Sequence, residues 1–234
     1  ILFRKRIKKD IMEGKIMYHF IINPGSRTGK GIKAWHGVED HLIRHGIKYS
    51  YYFTKPDVSA NKIVRKISKI PGDKKIIILG GDGTINEAIN GLEDDQLNHT
   101  YIGYIPTGSS NDFARSLMLP KDPLVGLEQI LSSKDYLALD LGKVKVDEDK
   151  EYKFIVSSGS GFDASIVRSA NSSKLKTFLN FIGLGKFIYI IKAISSLFLS
   201  PYNHGRIMID GQESKSYNKL FFVISMNHKY EGGG

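Results

Sequence analysis

Apolar residues in the first half of the chain recur in two alternating rhythms. Ile16 to Ile22 is a short apolar run ended by Asn23-Pro24-Gly25-Ser26, the pattern of a strand and its turn. Ile32, Trp35, Val38 and Leu42 then fall at helical spacing, and His45-Gly46 closes that helix. Tyr49 to Thr54 reads as a strand, and Ile63, Val64, Ile67 and Ile70 mark a helix stopped by Pro71-Gly72. Ile76 to Leu79 is continuously apolar, as in a strand buried on both faces of a parallel sheet. Helical character from Thr84 to Leu92, a buried strand from Tyr101 to Ile105 and two short helices, Asn111 to Leu117 and Leu124 to Leu131, complete the series. This order predicts a parallel sheet with right-handed crossovers, whose ligands bind outside the carboxyl ends of the strands.

The rhythm changes after Tyr136. Leu137 to Val146, Tyr152 to Ser157, Gly205 to Ile209 and Leu220 to Met226 are strand-like and separated by polar, glycine-rich turns. The sequence therefore divides into a basic extension, 1–16, an α/β domain, 17–135, and a mostly β domain, 136–234. An apolar helical insert, 175–199, lies inside the last. That insert mimics a membrane span, but Lys186, Lys192, Asn180, Gly183 and Gly185 interrupt it. It reads better as amphipathic helices.

Charge and composition add little to the fold and something to the partners. A net charge of +10 favours anionic partners, among them nucleotides and anionic membrane surfaces. The absence of cysteine excludes disulfides, thiol catalysis and cysteine-rich zinc sites, and it fits a reducing cytoplasm. Histidines are scattered without metal-ligand spacing; His41 and His45 share a helix, with a solvated face as the default reading. Trp35 belongs to the core stripe, and Lys62, Arg65, Lys66 and Lys69 read as the solvent face of their helix.

Three loops after three of the strands carry chemistry. Gly80-Gly81-Asp82-Gly83-Thr84 joins a buried strand to a helix. Its glycines permit close approach of an anion to the backbone N–H groups at the helix start. Asp82 would repel a bare phosphate, which points to a bridging magnesium or a hydroxyl contact, and Thr84 can donate to a phosphate oxygen. Asn86 and Glu87 follow on the same helix. The loop Asn23-Pro24-Gly25-Ser26-Arg27-Thr28-Gly29-Lys30-Gly31 tempts comparison with a Walker A loop, but the pattern fails: Gly31 stands where Ser or Thr should bind magnesium. Its backbone N–H groups can still hold phosphate, with Arg27 and Lys30 adding charge. Pro106-Thr107-Gly108-Ser109-Ser110-Asn111-Asp112-Phe113-Ala114-Arg115 supplies hydroxyls, and Ser110 or Asn111 could cap the next helix.

Together these loops resemble the diacylglycerol kinase catalytic family, which includes bacterial lipid kinases and the sphingosine and ceramide kinases. The family's first loop, Asn-Pro-x-Ser-Gly-x-Gly, corresponds to NPGSRTGKG, with Arg27 where Gly is usual. Its GGDGTxNE is matched in full by GGDGTINE, and its third loop by PTGSSNDFAR, with Ser109 for Thr. Asp140-Leu141-Gly142, Gly161-Phe162-Asp163-Ala164 and Tyr230-Glu231-Gly232-Gly233-Gly234 match further.

The resemblance implies an NAD-kinase-like α/β domain and a β-sandwich domain, with ATP and magnesium bound between them. By match, Asn23, Pro24, Gly25, Ser26, Arg27, Thr54, Gly80, Gly81, Asp82, Gly83, Thr84, Asn86, Glu87, Thr107, Gly108, Ser109 and Asn111 would form the nucleotide site. Asp82, with Asp140 as a second acidic residue, would serve magnesium. The implied reaction is transfer of the γ-phosphate of ATP to a hydroxyl of a membrane lipid. Diacylglycerol is the first expectation and a sphingoid or other lipid alcohol the second. The implied enzyme is cytoplasmic and peripherally bound to membrane, with no nucleic-acid partner and with a homodimer left open. The family's general base and further strands match no residue before Gly234, so the β domain is expected to be incomplete and catalysis weak. Two alternatives stay open: an NAD-kinase-like enzyme, and a non-catalytic nucleotide- or lipid-binding module.

Overall fold

The computed structural model describes residues 17–146, 150–161, 203–211 and 215–230. The basic extension, the apolar 175–199 insert, Phe162-Asp163-Ala164 and the last four residues lie outside them. The described residues fall into two compact units, one of 17–157 with 227–230 and one running from Ser158 to Met226.

The first unit is built on four parallel strands, β1 (Tyr18–Ile22), β2 (Tyr49–Phe53), β3 (Lys74–Gly80) and β4 (Thr100–Pro106), in the order β2-β1-β3-β4. Phe20, Ile21, Ile22, Ile78 and Leu79 are wholly buried because helices cover both faces. On one face α1 (Lys30–Arg44) and α5 (Pro123–Ser132) pack Trp35, Val38, Leu42 and Leu127 onto Phe20, Ile22, Ile77 and Leu79. On the other, α2 (Ala60–Ile67), α3 (Asp82–Ile89) and α4 (Asp112–Ser116) pack onto Ile21, Ile76 and Ile78. Fully burying each such side chain contributes on the order of 2 kcal/mol. The α1 stripe lies where the periodicity puts it, and Gly46 ends the helix at φ +62°, a left-handed turn that favours glycine.

Several elements differ from the sequence reading. Helix α2 ends at Ile67, so Ile70 falls outside it and is 43% exposed. Residues 94–99 form a 3-10 helix that the sequence reading leaves as loop. Within Leu137 to Val146 only β5 (Gly142–Val146) is a strand, paired antiparallel with β6 (Lys150–Phe154). Both belong to the first compact unit.

In the second unit β8 (Asn203–Ile207) and β9 (Lys215–Leu220) form an antiparallel hairpin. There β7 (Ser157–Gly161) pairs with β10 (Phe222–Met226). The Leu220 to Met226 run is thus split: Leu220 ends β9 and Phe222 opens β10.

Candidate phosphate-binding edge and family

The strand order places a switch point between β1 and β3, because the chain proceeds from β1 to β2 on one side and from β3 to β4 on the other. In open α/β sheets ligands bind in the crevice outside such a point. The loops after β1, β3 and β4 all end there. Thr54 joins them from the end of β2, where its N–H donates to the Ile22 carbonyl at 2.8 Å.

Side chains lock the three loops into one edge. Asn23 Nδ2 donates to Thr84 Oγ1 at 3.1 Å, tying the first loop to the second. Ser26 Oγ and Thr107 Oγ1 lie 2.7 Å apart and buried, tying the first to the third. The Thr107 N–H donates to the Gly80 carbonyl at 2.8 Å, and Tyr104 Oη donates to the same oxygen at 3.2 Å. Asp82 Oδ2 accepts from the Asp112 N–H at 3.0 Å and Oδ1 from the Phe113 N–H at 3.2 Å, so Asp82 caps α4 from across the edge. A Cβ on Gly108 would lie 2.5 Å from the Gly81 Cα, so these two glycines let the second and third loops touch backbone to backbone. At Gly31 a Cβ would collide with the Asn23 carbonyl and Ser26 Oγ, which explains why the Ser or Thr of a Walker A loop cannot stand there.

What remains open at the edge is mostly backbone. Arg27, Thr28 and Gly29 are three consecutive left-handed residues, φ 44°, 56° and 90°, leading into α1. Among the described residues their N–H groups donate to no other backbone group. Gly25, Gly83 and Ser109 are exposed, and nothing lies within 4 Å of where a Gly83 Cβ would be. Asn111 is also left-handed, φ 55°, and its Nδ2 donates to the Gly108 carbonyl at 2.9 Å. Pro24 is half-buried beside Asn23.

Three residues of the expected set hold structure at some remove from this edge. Glu87 Oε2 accepts from the Ala60 N–H at 3.3 Å, at the start of α2. Asn86 Oδ1 accepts from the Ile155 N–H at 3.0 Å. Asp140 is exposed, and its carbonyl accepts from Asn227 Nδ2 at 3.3 Å. The sequence reading missed Asp112, which is 4% exposed and acts electrostatically on Asp82. It also missed Tyr104, a polar-tipped aromatic inside an otherwise apolar strand. Both lie inside or beside the third loop, and that position was the available signal.

Burial holds the Asp82 carboxyl above its ordinary range; the Asp112 charge adds to this, and the backbone N–H bonds to Asp82 oppose it. Burial, then the Asp82 charge, pushes the Tyr104 hydroxyl far above its ordinary value, so it stays a donor to Gly80. Arg115, at the end of the third loop, stacks its guanidinium 3.9 Å from the centre of the Tyr230 ring.

The profile of the diacylglycerol kinase catalytic domain matches residues 17–144, the segment that supplies all three loops. The chain belongs to that family. It is 29% identical over 224 residues to "Putative lipid kinase YtlR" of Bacillus subtilis, a match covering 93% of this chain and 71% of the relative. It is 32% identical over 157 residues to a diacylglycerol kinase of Staphylococcus carnosus, covering 67% of this chain and 47% of that protein. The fold is similar to that of a diacylglycerol kinase crystal structure from Bacillus anthracis, with TM-score 0.58, 19% identity, and coverage of 93% of this chain and 67% of that one. Among the described residues no helix is long and apolar enough to cross a membrane.

Proposed function

We propose that this chain binds ATP at the three-loop edge and transfers its γ-phosphate to a hydroxyl of a membrane lipid, with diacylglycerol as the first candidate acceptor. The observation that carries the reading is the convergence of three glycine-bearing loops on the switch point, cross-linked by Asn23–Thr84, Ser26–Thr107 and Asp82–α4. That network leaves backbone N–H groups as much of the lining of the edge. Such a surface suits an anion held at helix N-termini. Arg27 and Lys30 bring positive charge to it.

The triphosphate fits the open space above Gly83 and the left-handed run 27–29. Thr84 Oγ1 accepts from Asn23, which leaves its own proton available to donate. Magnesium fits as an ion arriving with the nucleotide: among the described residues no three acidic or histidine side chains gather into a protein-made cage. Asp82, half-buried in the glycine turn, would be the residue that meets it, and the ion would supply charge neutralisation on the transferred group. The chain's own part is to fix the phosphates in line with the acceptor, since phosphoryl transfer depends mostly on positioning and charge stabilisation. The basic charge of the chain favours an anionic membrane surface as the source of that acceptor.

The test is transfer of label from γ-labelled ATP, with magnesium, to vesicles containing mixed lipids or to NAD. Label on diacylglycerol or another lipid alcohol is expected. Label on NAD with none on lipid would overturn the reading, as would an absence of ATP binding. Asp82→Asn keeps one acceptor for α4, so folding should persist while transfer falls at least a hundredfold. An Asn variant as active as the parent would remove Asp82 from the mechanism.

A further inference from the structure

The chain re-enters the first unit at Asn227, directly after β10, and residues 227–230 are fastened to that unit through Asn227, His228 and Tyr230. The Asn227 N–H donates to the Val156 carbonyl at 3.0 Å. Its Nδ2 donates to the carbonyls of Phe154 at 3.2 Å and Asp140 at 3.3 Å. The His228 ring meets the Phe113 ring edge-on, with centroids 5.0 Å apart. The Arg115 guanidinium lies 3.9 Å from the centre of the Tyr230 ring. Phe113 and Arg115 both belong to α4, a helix of five residues. A helix that short does not hold itself in water, because its first turn costs more order than its few bonds return. At its start α4 is held by Asp82, which accepts from the Asp112 N–H at 3.0 Å and the Phe113 N–H at 3.2 Å.

We propose that Tyr230 is a positioning residue for Asp82: by stacking on Arg115 it fixes α4, and the first N–H groups of α4 fix the Asp82 carboxylate. The two bonds reach different oxygens, Asp112 to Oδ2 and Phe113 to Oδ1, so together they set the plane of the carboxylate as well as its place. Both donors ride on one short helix, so a shift of α4 lengthens both bonds at once. Asn227 holds only the start of the return segment, and His228 touches the helix at Phe113. Tyr230 is the residue that reaches the C-terminal part of α4, through a planar cation that suits the face of an aromatic ring. The effect on Asp82 stands apart from ATP; the effect on phosphate transfer rests on the function proposed above. There a displacement of about 1 Å can cost on the order of a hundredfold in rate.

The test reads the two Asp82 bonds directly, as amide hydrogen exchange at Asp112 and Phe113 in the whole chain without nucleotide. Tyr230→Leu removes the ring face and should speed exchange at both amides at least tenfold, with β1 and β3 unchanged. Tyr230→Phe keeps the face and should exchange like the parent. Transfer of label from γ-labelled magnesium ATP is the second readout. The Leu variant should lose at least fivefold in kcat with KM for ATP within twofold of the parent, because Tyr230 does not touch the loop N–H groups that would hold the phosphates. The Phe variant should restore kcat. Unchanged exchange at Asp112 and Phe113 in the Leu variant would overturn the proposal, as would a Phe variant as impaired as the Leu one. A Leu variant that fails to fold, or whose exchange rises across β1 and β3 as well, would also overturn it, since Tyr230 would then hold the fold and not α4. If the unaltered chain transfers no phosphate while the exchange results hold, the proposed function fails and the hold of Tyr230 on Asp82 stands.

Discussion

Ser26 and Thr107 come from loops far apart in sequence and meet as a buried hydroxyl pair, 8% and 0% exposed. Removing one partner leaves the other without its bond, at a cost of about 1–3 kcal/mol. Ser26→Ala and Thr107→Val should each destabilise the fold by that amount, and the double variant by clearly less than the sum. Strict additivity in urea unfolding would show that the pair does not hold the loops together. His19 is a second buried polar residue, with Nδ1 2.7 Å from Ser50 Oγ, and burial lowers its pKa below the ordinary 6.5. The unfolded chain then binds more protons than the folded one just below pH 6.5, so stability is complete above that pH and falls as pH drops through the depressed value. The unfolding midpoint should decline between pH 7 and pH 5, and His19→Gln should reduce the decline; an unchanged slope would contradict the assignment. The residue scale is also where the sequence was least legible. GGDGT announces a phosphate turn, but nothing in the letters shows that Gly81 is needed for its contact with Gly108, or that Asp82 caps a helix in another loop. Those contacts exist only once β3 and β4 are side by side.

At the scale of elements, α3 is the part that carries the glycine turn and also grips a later strand. Asn86 and Asn90 are one helical turn apart. Asn86 Oδ1 accepts from Ile155, and Asn90 exchanges bonds of 2.7 and 2.8 Å with the Lys153 backbone. The Lys153 ammonium reaches Asp94, which also meets Lys143; their bonds hold the Asp94 carboxyl down to about 2. Asn90→Ala should cost about 1–3 kcal/mol by leaving the Lys153 backbone unpaired, and should speed amide exchange in β6 before the rest of the unit. Uniform exchange across the unit would show that the grip is not local. The parallel strands and α1 were legible because continuous apolar runs, a helical stripe and Gly or Pro breaks all agree on them. The 3-10 helix at residues 94–99 was not, because it buries none of its residues and so writes no periodicity. The stretch 137–141 alternates like a strand, yet the strand begins only at Gly142.

At the scale of the whole molecule, the order β2-β1-β3-β4 accounts for the site. It separates the loops after β1 and β3 onto the two sides of a crevice and brings the β4 loop beside them. The family profile covers this part, and the family's lipid-kinase character follows from that match rather than from the antiparallel pairs that come later. The central claim is that the three loops act as one ATP site. Amide resonances followed by NMR during titration with magnesium ATP test it most directly. The account predicts that Arg27, Thr28, Gly29, Gly83 and Ser109 shift together with a single apparent affinity, while Leu137 and the β4 flank stay still. Shifts confined to one loop, or loops that saturate at different ATP concentrations, would contradict it.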